Sequence, residues 1–513
     1  MRIPIAGRAL LASVLMALFA LPHEAVLADE QRQPRVETPL AAPACPDSSG
    51  LRSLDLADAI SQSLQRQPQL IIAQQDLIEA RSDVRASVAP FLPSAQLGFT
   101  DERYVPSNGS APVVVVGNTV LGGAQTKSGY ASISLSWNLM NSGRDVAGFH
   151  GARAGVRAAA SGLDSQLEDT LSGILQGYAD LYETEIAARG QRGATLLLQA
   201  IQARAVERYQ NGHGTTVAIG QARSAELDAE QSLNHDCRSL AEKSASLAAA
   251  IGIDVAAGGR LTVGEPLPLP KEIVSDRDSA LLESVVENAP AVAAARQKVE
   301  QARAKLHQAQ RAFGPSVSLS VRRDYLGEDP DSFGRANRSL APSDYRVGLS
   351  FEQPLLPVAT EIAAVDRARA EFRKAQASFE QARLDTQTKL SGALSAQREA
   401  EASYAAARAS LGESRRVLEL TQSLYRAGRT DLDSVQHAQI DSEKAEADTQ
   451  TLASKRSSAE WAVARALLPE QFPDLLFDQL HLQFQARRWR EGDTQDVDLS
   501  VSVTGDPQSG WLP

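Results

Sequence analysis
The sequence is written twice. At one offset of 222 positions, Pro68 answers Pro290, Ala80-Arg81 answers Ala302-Arg303, and Phe91, Pro93 and Leu97 answer Phe313, Pro315 and Leu319. Further along, residues 132–139 (SISLSWNL) answer 346–353 (RVGLSFEQ), with Trp137 opposite Phe351, and residues 208–212 (RYQNG) answer 424–428 (LYRAG). Self-similarity of this kind commits the chain to two copies of one supersecondary unit, which must be read before any single element. Each copy runs helix, Pro break, strand, long loop, strand, very long helix, Gly turn, returning helix. The first spans 54–252 and the second 279–468. A linker at 253–278 separates them, marked by Gly258-Gly259 and by Pro266-Leu267-Pro268-Leu269-Pro270.

Four segments alternate with period two, which predicts strands at about 94–105, 130–139, 316–325 and 345–353. Ala131, Ile133, Leu135, Trp137 and Leu139 fall on one face of the second, and Ser132, Ser134, Ser136 and Asn138 on the other. Tyr345, Val347, Leu349 and Phe351 oppose Arg346, Gly348, Ser350 and Glu352 in the fourth. Taken singly, such strands more often line a soluble core, but nothing else in this chain is apolar enough to cover them. An apolar outer face with a polar inner one is the pattern of an outer-membrane barrel. The intervening segments 106–129 and 326–344 are long and polar, as extracellular loops are; Val113–Val116 reads either as an extra strand or as an apolar loop tip. Four strands cannot close on themselves, and open edges in lipid leave backbone groups unsatisfied. Copies must therefore share a barrel: a dimer gives eight strands with a filled interior, a trimer twelve with a wet lumen. The serine-lined inner face favours the trimer.

The helices are too long for a globular domain. Residues 144–208 and 359–427 contain no strong break, and at 1.5 Å per residue each makes a rod of about 100 Å. The leading helices, 54–90 and 279–313, and the returning helices, 216–252 and 432–467, are about half as long. A returning half stacked on a leading half matches one rod, so each chain supplies four columns and a trimer twelve. Their faces are rich in Ala, and aromatic residues make up only 5% of the chain. Small side chains suit close antiparallel packing in a wall with two wet faces.

Arg2 and Arg8 precede an apolar run from Ala9 to Leu21, and Val26-Leu27-Ala28 suits signal peptidase, so residues 1–28 read as a secretory signal and 29–53 as an N-terminal extension. No Cys follows the run closely enough to take a lipid. In an oxidising compartment Cys45 and Cys237 invite a disulfide that would staple this extension to the helical wall. Residues 469–513, with Arg487-Arg488-Trp489-Arg490, fit no repeat element and are expected to wrap the outside or stay disordered. A formal charge of −11 argues against nucleic acid, and the scattered His and two Cys argue against a metal site. No HExxH, GxSxG, P-loop or dinucleotide motif is present, so no catalytic, metal or cofactor residues are expected and the chain does not read as an enzyme.

The run LDLADAISQSLQRQPQL at 54–70, the Ala-Arg then Phe-x-Pro approach to each first strand, and the Tyr-x-x-Gly turns at Tyr209/Gly212 and Tyr425/Gly428 together resemble the TolC family of outer-membrane channel proteins. The resemblance covers about Leu54 to Leu468. It implies an α+β membrane protein: a homotrimer whose twelve-stranded β-barrel, four strands per chain, continues into an α-helical periplasmic barrel, with two internal repeats per chain. It implies contact with outer-membrane lipid, docking to a periplasmic adaptor (membrane fusion) protein and an inner-membrane transporter, ABC or proton-driven, and export by type I protein secretion or tripartite efflux. By the same likeness the adaptor-docking tips are Tyr209, Gly212, Tyr425 and Gly428. The family's entrance Asp positions fall here on Ser434, His437 and Ala218, and its Arg position on Thr430, so the usual acidic gate is missing. Arg429, Asp431 and Asp433 stand as substitutes, the plainer reading being that the acids cap the returning helix. The competing reading from another class is a periplasmic coiled-coil scaffold or adhesin-type stalk.

Overall fold
In a computed structural model of the chain, the described residues are Cys45, 51–104, 114–116, 119–121, 126–254, 260–270, 279–329, 331–355, 359–469, 471–480, 482–484 and 501–503. The signal sequence lies outside them, as does Arg487–Arg490. In chain order the elements are β1 (Leu51–Ser53), α1 (Leu56–Arg66), α2 (Pro68–Val88), β2 (Ser94–Tyr104), β3 (Val114–Val116), β4 (Thr119–Leu121), β5 (Thr126–Asn141), α3 (Arg144–Gln210), α4 (Thr216–Ile251) and β6 (Arg260–Thr262). They continue with α5 (Ser279–Asn288), α6 (Pro290–Gln310), β7 (Ser316–Asp329), α7 (Phe333–Arg338), β8 (Ala341–Glu352), α8 (Ala359–Arg426), α9 (Leu432–Leu467), α10 (Phe472–Gln479), β9 (Leu482–Phe484) and β10 (Val501–Val503).

The two rods, α3 and α8, have 67 and 68 residues and reach about 100 Å. The leading helices differ from the expectation of one continuous run. Gln67 is extended and Pro68 opens α2; Ala289 is extended and Pro290 opens α6. Proline at the first helical position removes no needed N–H, yet the residue before it is pushed out of the helical region, so one helix becomes two. Half-helices do stack. α4 ends at Gly252 with φ 78°, and a Cβ added there would lie 2.8 Å from the Arg66 carbonyl oxygen at the α1/α2 junction. α9 likewise ends where Val286 of α5, Val463, Leu467 and Leu390 of α8 pack together.

The wall is not thin and wet throughout. Around this junction Leu64, Leu70, Leu171, Ile174, Tyr178, Leu247, Ile251 and Trp461 form one core, which Leu261, Val263, Leu267, Phe472, Leu476 and Phe477 complete. The described parts of the segments read as linker and tail, 260–270 and 471–480, are therefore packed against this core. β6 pairs in parallel with β1, the Trp461 indole donates to the Pro268 carbonyl at 2.7 Å, and Gln479 Nε2 donates to the Leu269 carbonyl at 2.6 Å. A Leu-Pro alternation holds an extended conformation without needing its own hydrogen bonds, so it lies along the helices as a strap with Leu267 turned inward.

Cys45 is bonded to Cys237 of α4, with Cα atoms 5.4 Å apart and a sequence separation of 192. The bond holds Cys45 against α4. In a Cys237→Ser protein the segment between Cys45 and Leu54 is expected to become the first site of limited proteolysis; an unchanged cleavage pattern would show that β1 holds without the bond.

Candidate functional site: an amphipathic sheet and two helical tips
The strands β2, β5, β7 and β8 form one antiparallel sheet in that order. Residues directly opposite one another share a face. One set of rows is Ala95–Leu135–Val321–Val347, Leu97–Ile133–Arg323–Tyr345, Trp137–Leu319–Leu349 and Met140–Val317–Phe351, with a bulge between Asn138 and Met140. Apart from Arg323, this face is apolar and bare: Leu97 is 78% exposed, Leu349 70% and Phe351 68%. From Val317 to Tyr325 it rises about 26 Å along the strand, or about 20 Å at the tilt of ~40° usual in outer-membrane barrels. Aromatic residues mark its rims. Trp137 donates its indole N–H to the Phe91 carbonyl at 3.0 Å at the helical end, and at the far end Arg323 lies 5.8 Å from the centre of the Tyr325 ring.

The opposite face is polar: Ser94–Ser136–Ser320–Gly348 and Asn138–Ser318–Ser350 are typical rows, and the Ser94 and Ser136 hydroxyls meet at 2.7 Å, as do those of Ser318 and Ser350. Both edge strands, β2 and β8, lack a partner on their outer side among the described residues. β5 begins at Thr126, four residues earlier than the alternation predicts, and β7 runs on to Asp329. Beyond the apolar rows α7 packs on them: a Cβ at Gly129 would strike the Asn337 side chain, and one at Gly327 the Ala336 carbonyl. Val114–Val116 is one arm of the small hairpin β3–β4.

At the opposite end of the rods are two five-residue turns built alike. In one, Gly212 (φ 75°) donates its N–H to the Tyr209 carbonyl at 3.0 Å and His213 to the Arg208 carbonyl at 2.9 Å. In the other, Gly428 (φ 67°) donates to Tyr425 at 2.9 Å and Arg429 to Leu424 at 2.9 Å. This is the Schellman closure, in which the residue of positive φ turns the chain so that the last helical carbonyls are satisfied. Tyr209 and Tyr425 are both exposed.

The residues considered for a gate, Arg429, Asp431, Asp433, Ser434 and His437, stand in different surroundings. Asp431 is the N-cap of α9: the Ser434 amide at 3.0 Å and the Ser434 hydroxyl at 2.5 Å both donate to its Oδ1, holding its carboxyl below the usual carboxylate range. Arg429 forms no ion pair among the described residues, and Ser434 and His437 are exposed. Asp433 instead joins the two hairpins, accepting from Arg208 Nη1 of α3 at 2.7 Å, while its Oδ1 is buried without a hydrogen-bond partner among the described residues. Arg208 is the residue the sequence reading missed; it precedes Tyr209 in the first tip, where the second tip has Leu424. Above this link α3 and α9 lie close because Gly190 faces Ala447 and Gly193 faces Glu443.

No described helix is long and apolar enough to cross a membrane. A model of the family described as outer membrane efflux protein matches residues 59–253 and 281–467. The chain belongs to the outer membrane efflux protein family. Each matched segment carries two strands of the sheet and one helical hairpin. Protein CyaE of Bordetella pertussis is 27% identical to this family member over 381 residues, covering 71% of this chain and 73% of that one. The fold is shared with the CmeC outer membrane channel of Campylobacter jejuni, at 16% identity and a TM-score of 0.68 over 80% of this chain and 85% of that one. It is also shared with the outer membrane protein VceC of Vibrio cholerae, at 19% identity and a TM-score of 0.63 over 80% of this chain and 95% of that one. As an efflux-family protein the chain resides in the outer membrane, extends its helices into the periplasm and serves export.

Proposed function
We propose that three copies pool their sheets into one twelve-stranded barrel, and their four columns each into a helical tunnel, forming a passive duct for proteins or small molecules. The observation that carries this reading is the open sheet with one bare apolar face. Two edges of eleven and twelve residues would leave rows of backbone donors and acceptors unpaired in hydrocarbon. Pairing β8 of one copy with β2 of the next removes both edges three times over and closes the ring. The duplicated sequence supports the same reading, since two copies of one unit supply equal columns.

The two exposed tips are the docking points for a periplasmic adaptor, which links the duct to an energised inner-membrane transporter. The Arg208–Asp433 pair latches the hairpins together next to them. Half-exposed ion pairs contribute only about 0.2–1 kcal/mol, so the latch is weak enough for a docking partner to break. Arg208→Ala and Asp433→Ala are each expected to raise single-channel open probability in planar bilayers by about two- to fivefold, with no further gain in the double variant. Equal wild-type and variant currents would remove the latch. For the duct itself, protein from outer-membrane fractions is expected to run as a trimer on unheated gels and as a monomer after boiling; recovery in the soluble periplasm would oppose it.

A further inference from the structure
The polar face of the sheet changes character partway up. From the helical end it begins with Asn141–Ser316–Glu352, whose one carboxylate sits on the edge strand, and continues with two uncharged rows, Asn138–Ser318–Ser350 and Ser94–Ser136–Ser320–Gly348. The next row is Gln96–Ser134–Arg322–Arg346 and the one above it Gly98–Ser132–Asp324–Asp344. Arg322 therefore faces Arg346 across the β7–β8 pair, and Asp324 faces Asp344. Like charges directly opposite in an antiparallel pair destabilise it. Serine fills the same face just below, so solvation of a wet surface does not by itself call for four charges. Each arginine is neutralised along its own strand: Arg322 Nε donates to Asp324 Oδ1 at 2.7 Å, and Arg346 Nη2 to Asp344 Oδ2 at 2.9 Å.

From this geometry we infer that Arg322, Arg346, Asp324 and Asp344 form a two-tiered charged collar inside the barrel that sets which charge on a passing ion or cargo is favoured. The inference rests on the shared-barrel reading above, which turns the polar face toward the lumen and repeats each tier three times. Six arginines then form the lower tier and six aspartates the upper, about 7 Å apart along the strands. Material rising from the tunnel meets the positive tier first. Rings of charged side chains at a pore wall select by sign. Here the two signs offset one another, so the intact collar is nearly neutral as a whole, and removing either tier exposes the other.

The test is the K⁺/Cl⁻ permeability ratio of purified trimers in planar bilayers under a KCl gradient. R322Q/R346Q is expected to raise the ratio about threefold and D324N/D344N to lower it about threefold. The quadruple variant is expected to return close to wild type, and R322K/R346K to stay there. The single variants R322Q and D324N should show smaller shifts of the same opposite signs, which keeps the readout available where a double variant assembles poorly. Ratios that do not move, or that move in one direction for both tiers, in trimers that conduct normally overturn the collar and leave the duct intact. Absence of any conductance from the wild-type protein overturns the shared barrel instead.

Discussion
Gly428→Val is expected to abolish export while trimers remain in the outer membrane. Gly428 holds φ 67° and a Cβ there would touch nothing within 4 Å, so the fault is conformational and not steric crowding by a neighbour. A β-branched residue at positive φ costs on the order of 1–3 kcal/mol, which the turn relieves by giving up the hydrogen bonds from Gly428 to Tyr425 and from Arg429 to Leu424. The tip then loses its shape at the point where a partner must dock. The sheet lies about 100 Å away along α8, so closure of the barrel is untouched. Gly428→Asn is expected to retain export, because Asn tolerates the left-handed region. Secretion of cargo and unheated gels read the two outcomes separately; loss of trimers in Gly428→Val would mean that the tip also directs assembly. Gly212→Val should behave in the same way.

Trp461→Ala carries the largest expected loss of stability, about 3–5 kcal/mol. Trp461 is 2% exposed, meets Phe472 edge-on with ring centres 6.1 Å apart, and donates to the Pro268 carbonyl. It thus clamps α9, the Leu-Pro strap and α10 at the level where the half-helices abut. Trp461→Phe keeps most of the buried area and leaves the Pro268 carbonyl unpaired, so its loss is expected to be about 1–3 kcal/mol. Thermal unfolding of the detergent-solubilised protein orders the three proteins wild type, Phe, Ala. Equal midpoints would show that strap and tail add nothing to the core.

Where local pattern decides structure, the residues announce it. Leu97, Ile133, Leu319 and Leu349 alternate with Ser, Gly and charge, and the strands they belong to start or end within four residues of expectation. The unbroken Ala-rich stretches give rods ending at Gln210 and Arg426, and the glycines after them take positive φ. Pro68 and Pro290 were visible as an equivalent pair, but proline at a helix start and proline after a break look alike in one dimension. The strap was hidden for a different reason. Pro266–Pro270 has the composition of a linker, and only the core opposite it shows that Leu267 is buried. The same holds for Phe472 and Phe477, which are buried in the same core. The Arg208–Asp433 link joins residues 225 apart with no shared motif, so it awaited the packing of the two hairpins. Asp431 followed the commonest local chemistry of its type, a cap beside Ser434.

The central claim is that one chain cannot seal its own membrane-spanning sheet. Native mass spectrometry of protein extracted from outer membranes in mild detergent tests it most directly. The account predicts a particle of three chains that falls apart only on denaturation. A single chain, stable and monodisperse in buffer without detergent, would contradict it.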